Sequence, residues 1–275
     1  MNDILAYCES FKQWSASVDY ACRLAALIDA NLTGLCVCPA PTAMLAPYET
    51  PELIMELLEV AAQLKNDAAR AAPAFEAFAH ERGANRATWQ VAQDEVPRAL
   101  AFAGDWHDLL VLGRTGHTPW GSVAAVGNLV LGSGLPCVVA PREPVAMVEA
   151  HRIAIAWNGS REAIRTVHAA LPLLKRADRV TILHGRQRTS SGLEAWKPTF
   201  DLSTFLSRHG IASETLWLPD TVAATGAMLL DAARETRADM LVMGAYGHTR
   251  LSEWVLGGAT RGALELAPVP LFMRH

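Results

Sequence analysis

Two stretches of this chain place glycine, histidine and threonine in the same pattern. HDLLVLGRTGHTPWG (His107–Gly121) and ADMLVMGAYGHTRLS (Ala238–Ser252) share seven of fifteen aligned residues, including both glycines of a G-x-x-G and the His-Thr that follows. An apolar run precedes the first glycine in each copy. A glycine loop at the end of a buried strand lets backbone approach a ligand closely, as phosphate and nucleotide sites require. The repetition itself predicts two copies of one domain.

A further glycine pair follows the second copy. Gly257 and Gly258 stand just before a predicted helix that contains Thr260. The free N–H groups at a helix start carry partial positive charge and suit a phosphate, and a threonine hydroxyl adds a donor. Capping of the helix by Thr260 is the structural alternative.

Strands and helices alternate along both halves and would position these loops. An N-cap at Thr50 with Pro51 after it begins a helix predicted to bury Ile54, Leu57, Leu58 and Ala61. The first helix of the second half is predicted to bury Ile164, Val167, His168, Leu171 and Leu174. The predicted strands are 4–8, 32–38, 88–92, 109–113 and 136–140, then 153–157, 180–183, 214–218, 240–244 and 270–273.

This alternation predicts an α/β fold with parallel sheets, right-handed crossovers and helices on both faces. The 275 residues suit two cores better than one. We expect one domain over residues 1–141 and another over 151–275, because the periodicity lapses near 142–150.

Composition narrows the function classes. A net charge of −4 and a pI near 6.1 argue against a general binder of nucleic acid or anionic membrane. The chain lacks a signal-peptide pattern and an unbroken apolar run of membrane-spanning length, so a cytoplasmic location is expected. The five cysteines predict buried free thiols, with Cys36 and Cys38 on one strand face, and no metal site.

The motifs together resemble the universal stress protein family. Ile153-Ala-Ile-Ala-Trp-Asn-Gly-Ser160 is similar to the family's first strand and turn. Gly244-x-x-Gly247, followed by Gly257-Gly258-Ala-Thr260, is similar to its nucleotide signature. Ala267-Pro-Val-Pro270 and a final apolar strand close the chain as the family does.

The resemblance implies two tandem domains of flavodoxin or adenine-nucleotide-hydrolase type, each a five-stranded parallel sheet ordered 3-2-1-4-5. It implies that the fifth strands pair across the halves, so that one chain forms a pseudo-dimer; a homodimer of chains stays open. The implied ligand is ATP or AMP, with or without Mg²⁺. The implied binding residues are Asn158, Gly159, Ser160, Gly244, Gly247, His248, Gly257, Gly258 and Thr260, with Gly113 and Gly116 in the first half.

The sequence departs from the family pattern at several positions. Asn158 stands where the family usually has aspartate, and Gly258 where it prefers serine or threonine. In the first half, Cys8 or Glu9 falls at the aspartate position, and the later glycines are spaced wrongly. We therefore expect the second half to be the binding half and the first to be degenerate.

Simpler interpretations accompany each functional one. Both G-x-x-G segments can be tight turns without a ligand, and His117 and His248 can hold their loops through backbone bonds. Trp120, Trp157 and Trp254 can stack on a base or pack beneath a loop. The sequence contains no P-loop, nucleophile-elbow or zinc-protease motif, so no catalytic residue is predicted. The activity expected is at most a slow hydrolysis of ATP. A nucleotide-binding regulatory module is the leading hypothesis, ahead of a scaffold that binds no nucleotide and of an enzyme.

Overall fold

The computed structural model describes residues 1–41, 50–116, 118–145, 147–185, 201–219, 226–245 and 258–275. The ten predicted strands are all present, each end within one residue of its predicted position. The strands are β1 (Asp3–Cys8), β2 (Asn31–Cys38), β3 (Ala87–Gln93), β4 (Leu109–Leu112), β5 (Cys137–Val139), β6 (Arg152–Trp157), β7 (Arg179–His184), β8 (Ser213–Trp217), β9 (Met240–Gly244) and β10 (Leu271–Arg274). The helices are α1 (Ala16–Ile28), α2 (Pro51–Ala69), α3 (Ala72–Glu81), α4 (Val96–Gly104), α5 (Val123–Gly132), α6 (Arg161–Leu174), α7 (Leu202–Arg208), α8 (Gly226–Glu235) and α9 (Gly258–Leu266).

The chain forms two compact units. The first comprises Met1–Leu135 and Arg142–Val148, and the second comprises Pro136–Pro141 and Glu149–His275. The stretch Pro136–Pro141, which the sequence repeat assigns to the first domain, belongs to the second compact unit because it contains β5, the partner of β10. The limits 1–141 and 151–275 remain a prediction about the sequence repeat.

Four parallel strands make the sheet of the first unit, in the order β3-β2-β1-β4. All four residues of β4 are buried. A short central strand of Leu and Val is expected to be covered on both faces, and the sequence predicted β4 on that ground.

The second unit has the order β8-β7-β6-β9-β10, with all five strands parallel. This is the 3-2-1-4-5 order that the family resemblance implied. Strand β5 joins the outer side of β10 as an antiparallel partner, with Val138 opposite Phe272. The expected pairing of the two fifth strands is therefore present.

A pair of aspartates repeats the same contact in both units. Asp108 Oδ2 accepts hydrogen bonds from the backbone N–H groups of Asn2 (2.5 Å) and Asp3 (3.2 Å). Asp239 Oδ2 accepts from the N–H groups of His151 (3.1 Å) and Arg152 (2.9 Å). These aspartates occupy one position of the repeated segment, so each ties the start of its fourth strand to the start of its first.

The buried face of α6 differs from the predicted stripe. Ile164 is 42% exposed and His168 is exposed, so both predictions were wrong. The helix instead buries Thr166, whose Oγ1 donates to Glu162 O (2.6 Å) and Arg274 O (3.1 Å). Because these bonds satisfy the hydroxyl, a polar residue lies on the inner face, and counting apolar residues missed that rotation. The buried residues of α6 are Glu162, Ala163, Thr166, Val167, Ala170, Leu173 and Leu174.

Helix α2 also buries less than predicted. Its N-cap is correct, since Thr50 Oγ1 accepts from Leu53 N at 3.4 Å. Ala61 is buried as predicted, but Leu58 is exposed, and Ile54 and Leu57 are only half-buried. The helix packs on β2 and on β3, the outermost strand of its sheet, so its apolar flank extends beyond the sheet edge.

The cysteines are all free and buried, as predicted. Burial raises the pKa of Cys22 and of Cys36 to about 12, which keeps both thiols protonated at neutral pH. Within the described ranges, no group of three or more His, Cys, Asp or Glu side chains could hold a metal ion. Among the helices of those same ranges, none has the length and apolar character needed to cross a bilayer.

Candidate functional site

The candidate site lies at the carboxyl ends of β6 and β9, which are neighbouring strands of the second unit. Ala156 is the register partner of Met243, so the loop after Trp157 and the loop after Gly244 begin side by side. The strand order reverses at this point, because β7 follows β6 on one side while β9 lies on the other. Crevices at such switch points are the usual ligand sites of open parallel sheets.

The turn after β6 is built by Asn158, Gly159 and Ser160. Asn158 Oδ1 accepts from Ser160 N at 3.0 Å, and Gly159 has a left-handed φ of 71°. Ser160 Oγ accepts from Ala163 N at 3.2 Å and caps α6. The three predicted residues are thus together at the strand end, and two of their side-chain oxygens already hold the turn. Asn158 and Gly159 are solvent-exposed.

Gly244 has a packing role that the sequence did not reveal. A Cβ at this position would lie 2.7 Å from Ala163 N and 2.9 Å from Glu162 C. Backbone atoms cannot move away cheaply, so the first turn of α6 requires a glycine beneath it. This contact accounts for Gly244 without any ligand.

Gly258 and Thr260 lie in the first turn of α9. Gly258 is exposed, and among the described residues no heavy atom lies within 4 Å of an added Cβ. Thr260 is buried, with 5% of its surface exposed. The open start of the helix is the feature suited to an anion, whereas Thr260 faces the protein interior. Gly247, His248 and Gly257 lie outside the described residues.

The equivalent crevice of the first unit contains its own carboxylate. Of the two residues considered for the aspartate position, Cys8 is buried at the end of β1 and Glu9 follows it. Glu9 therefore supplies the acidic group at the end of this strand. Glu9 Oε2 accepts from Thr115 Oγ1 (2.9 Å) and Thr118 Oγ1 (2.8 Å) in the loop after β4. Glu9 Oε1 is buried and has no hydrogen-bond partner among the described residues. The first-unit crevice therefore carries a negative charge that a phosphate would meet.

The loop after β4 also satisfies its own backbone. Gly116 has a φ of 69°, and its N–H donates to Gly121 O at 3.3 Å. Ser122 Oγ caps α5 by accepting from Ala125 N at 3.3 Å. A Cβ on Gly113 would lie 2.7 Å from Ser17 Oγ, so this glycine also has a packing reason. His117 lies outside the described residues.

A buried arginine follows Gly113. Only 1% of Arg114 is exposed, and burial together with the charge of Arg142 lowers its pKa to about 10. The guanidinium stays protonated at neutral pH. The corresponding residue of the second unit is Ala245, so the two loops differ in charge as well as in spacing.

Three aromatic residues end the strands on one side of the second-unit crevice. Trp157, His184 and Trp217 are register partners on β6, β7 and β8, so they point to the same face of the sheet. The His184 and Trp217 rings lie 4.2 Å apart between centroids, and Trp217 is 71% exposed. Trp157 was expected from the sequence as a residue that could stack on a base, whereas His184 and Trp217 were not. Aligning the last residues of three consecutive strands would have revealed the row.

Comparisons with known proteins give one family. Residues 221–274 match the model of the universal stress protein family. No curated protein matches the chain.

Solved structures resemble the chain over its whole length. A universal stress protein from Archaeoglobus fulgidus DSM 4304 aligns with 99% of this chain and 96% of its own, at 17% identity and a TM-score of 0.66. A putative universal stress protein from Pseudomonas aeruginosa UCBPP-PA14 aligns with 100% of this chain and 93% of its own, at 14% identity and a TM-score of 0.58. At these identities the likeness establishes the fold. The family match therefore lies within the second unit, and the likeness to universal stress protein structures over the whole chain is a likeness of fold.

Proposed function

We propose that this chain is a regulatory module that binds one adenine nucleotide, ATP or AMP, in the crevice of its second unit. The observation that best supports this is the contrast between the two crevices. In the first unit, Glu9 places a carboxylate between the two loops. In the second, the turn of Asn158, Gly159 and Ser160 carries no charged side chain. A polyanionic ligand is favoured where the loops that face it carry no carboxylate; Glu162, the nearby carboxylate of the second unit, is buried in the first turn of α6.

The open start of α9 suits the phosphate end of the nucleotide. Gly258 is exposed at the start of a nine-residue helix, and the first N–H groups of a helix have no acceptor within the helix, which suits an anion. Where the family prefers a hydroxyl side chain, this chain has room for one, because nothing lies within 4 Å of an added Cβ on Gly258. Gly247, His248 and Gly257 belong to the same proposed site by the family motif.

The aromatic row suits the base end. Trp157 on β6 borders the turn at Asn158. The exposed Trp217 on β8 is two strands away from Trp157 and contacts His184 of β7 with a tilted ring. Stacking of a base on an aromatic side chain is worth about 1–3 kcal/mol. The proposal includes no catalytic residue, and any hydrolysis of ATP would be slow because no general base is assigned.

Calorimetric titration with ATP and AMP, with and without Mg²⁺, tests the proposal. The wild type is compared with Gly258→Ser, which adds the family hydroxyl, and with Asn158→Asp, which restores the family carboxylate. We expect saturable binding by the wild type and tighter binding by Gly258→Ser. Gly247→Val, which adds a branched side chain to the glycine loop, should abolish the heat.

A scaffold that binds no nucleotide is the second candidate. It is favoured by the engagement of Asn158 Oδ1 with Ser160 N, and by the packing contact that explains Gly244 without a ligand. Absence of heat with every nucleotide, from protein that unfolds cooperatively, would reject nucleotide binding and favour this alternative.

A further inference from the structure

A second cavity lies away from the candidate crevice, toward the amino ends of β6, β7 and β8. It has a volume of about 520 Å³, within the range of small-molecule sites. Arg152 and Arg179 begin β6 and β7, and Arg237 follows α8. Cations thus border a groove at the sheet edge opposite to the loop of Asn158.

The groove concentrates positive charge in an acidic protein. Three arginines and two glutamates line it, whereas the chain carries a net charge of −4. Arg179 Nη2 pairs with Glu214 Oε2 at 2.6 Å, so the charges of one arginine and one glutamate offset each other. Arg152, Arg237 and Glu235 remain among the lining residues, an excess of one cation before Asp239 beside Arg152 is counted.

Two of the arginines lie next to each other. Arg152 and Arg179 are register partners on adjacent parallel strands and share one face of the sheet. Like charges in that relation destabilise a sheet unless a counter-charge lies between them. Asp239, whose Oδ2 accepts from two backbone N–H groups, interacts electrostatically with Arg152 and supplies part of that counter-charge.

The floor of the groove offers a hydroxyl. Thr181 lies two residues after Arg179 on the same face and is only 6% exposed. Its side chain lines the groove between Arg179 and Glu214 of the neighbouring strand. A donor of this kind beside guanidinium groups is suited to an oxyanion.

Arg237 holds an unfavourable backbone conformation at the rim. Its φ is 52°, the left-handed region that favours glycine, and its side chain is exposed. This conformation ends α8, with Arg237 N donating to Arg234 O at 2.9 Å and Ala238 N to Ala233 O at 2.8 Å, and it places the Arg237 side chain at the rim of the groove.

We propose that this groove binds a small anion bearing a phosphate group, held by Arg152, Arg179 and Arg237 with Thr181 at its floor. Guanidinium groups bind phosphate oxygens through paired, charge-assisted hydrogen bonds. The site is independent of the nucleotide crevice and stands whether or not that crevice binds a nucleotide.

The test is titration of inorganic phosphate at low ionic strength, followed by calorimetry and by the phosphate-dependent rise in Tm. Arg152→Gln and Arg237→Gln should each weaken phosphate binding about tenfold. The matched control is Arg234→Gln. Arg234 is exposed on α8, the helix that precedes Arg237. It pairs with Asp231 at 2.9 Å and lies outside the groove. It should change affinity less than twofold.

Arg237→Gly separates a binding role from a structural one. Glycine relieves the left-handed φ, so the variant should unfold at a higher temperature than wild type while losing phosphate affinity. A wild type without saturable phosphate binding would overturn the proposal. Phosphate binding that persists unchanged in both glutamine variants would also overturn it, by placing the anion elsewhere.

Discussion

At the scale of single residues, the glycines of the candidate site have two different physical roles. Gly244 lies under the first turn of α6, where backbone atoms leave no space for a side chain. Gly258 faces open space at the start of α9. One sequence motif therefore combines a residue required by packing with a residue that leaves a helix terminus accessible.

Alanine substitution distinguishes these roles. Gly244→Ala should lower the free energy of unfolding by about 1–3 kcal/mol, because the added methyl group lies 2.7 Å from Ala163 N. Gly258→Ala should leave it within about 0.5 kcal/mol, since its Cβ meets nothing. Urea unfolding of both variants measures the difference. Equal stabilities would contradict the packing role of Gly244.

The repeated aspartates predict opposite responses to acid. Hydrogen bonds from Asn2 and Asp3 lower the pKa of Asp108, whereas burial raises the pKa of Asp239 despite two similar bonds. A lowered pKa means that Asp108 stabilises the folded state above the unfolded value, about 3.9, and that this contribution is lost as pH falls through the folded pKa. A raised pKa means that ionised Asp239 costs stability at neutral pH, and that stability is recovered as pH falls through the raised value.

Asp108→Asn should therefore reduce the loss of stability in acid relative to wild type, and Asp239→Asn should enlarge it. Denaturant unfolding at pH 7 and near pH 4 measures both effects. Identical acid profiles for the two variants would show that the paired environments do not differ as described.

At the scale of elements, α8 and α9 cross at two glycines. A Cβ on Gly226 would lie 2.5 Å from Ala263 N, whereas a Cβ on Gly262 would lie 3.2 Å from Gly226 Cα. The first distance requires the helices to separate, and the second requires a shift of a few tenths of an ångström.

We expect Gly226→Ala to destabilise the protein by about 1–3 kcal/mol. Gly262→Ala should cost much less, because alanine favours the helix by about 1 kcal/mol over glycine and offsets the small clash. Chemical denaturation of the two variants provides the comparison. A greater loss for Gly262→Ala would contradict the crossing geometry.

The sequence predicted elements better than the faces they bury. Runs such as LLVLG and MLVMG are short and apolar on both sides, so they identify central strands directly. The inner face of α6 could not be read in this way, because Thr166 is buried through bonds to Glu162 O and Arg274 O. Such bonds depend on β10, more than 100 residues away in the chain.

At the scale of the whole molecule, duplication has produced two unequal crevices. In the first crevice, Glu9 accepts hydrogen bonds from Thr115 and Thr118. The equivalent turn of the second crevice has no charged side chain. That the first half is degenerate, as expected from Cys8 or Glu9 at the aspartate position and from the glycine spacing after Gly116, stays a prediction. The sequence could not predict that the two threonines would bind Glu9, since that contact joins residues more than 100 positions apart.

The inequality predicts one nucleotide per chain. Calorimetry with AMP should give a stoichiometry near one, and Trp217→Leu should weaken binding by removing the exposed ring of the aromatic row. His209→Leu serves as a control, because His209 lies at the end of α7 against Phe205. A stoichiometry of two would mean that the first crevice also binds.

The position of β5 has a consequence for cutting the chain. Strand β5 comes directly after Met1–Leu135 of the first unit, yet it forms an antiparallel ladder with β10 of the second unit. A protease that cleaved within Arg142–Val148 would break the covalent link but not that ladder. The nicked fragments should therefore co-elute until denatured. A protein fragment of residues 151–275 alone would lack β5 and expose the edge of β10. We expect this edge to pair with a strand of another molecule, so that the fragment self-associates.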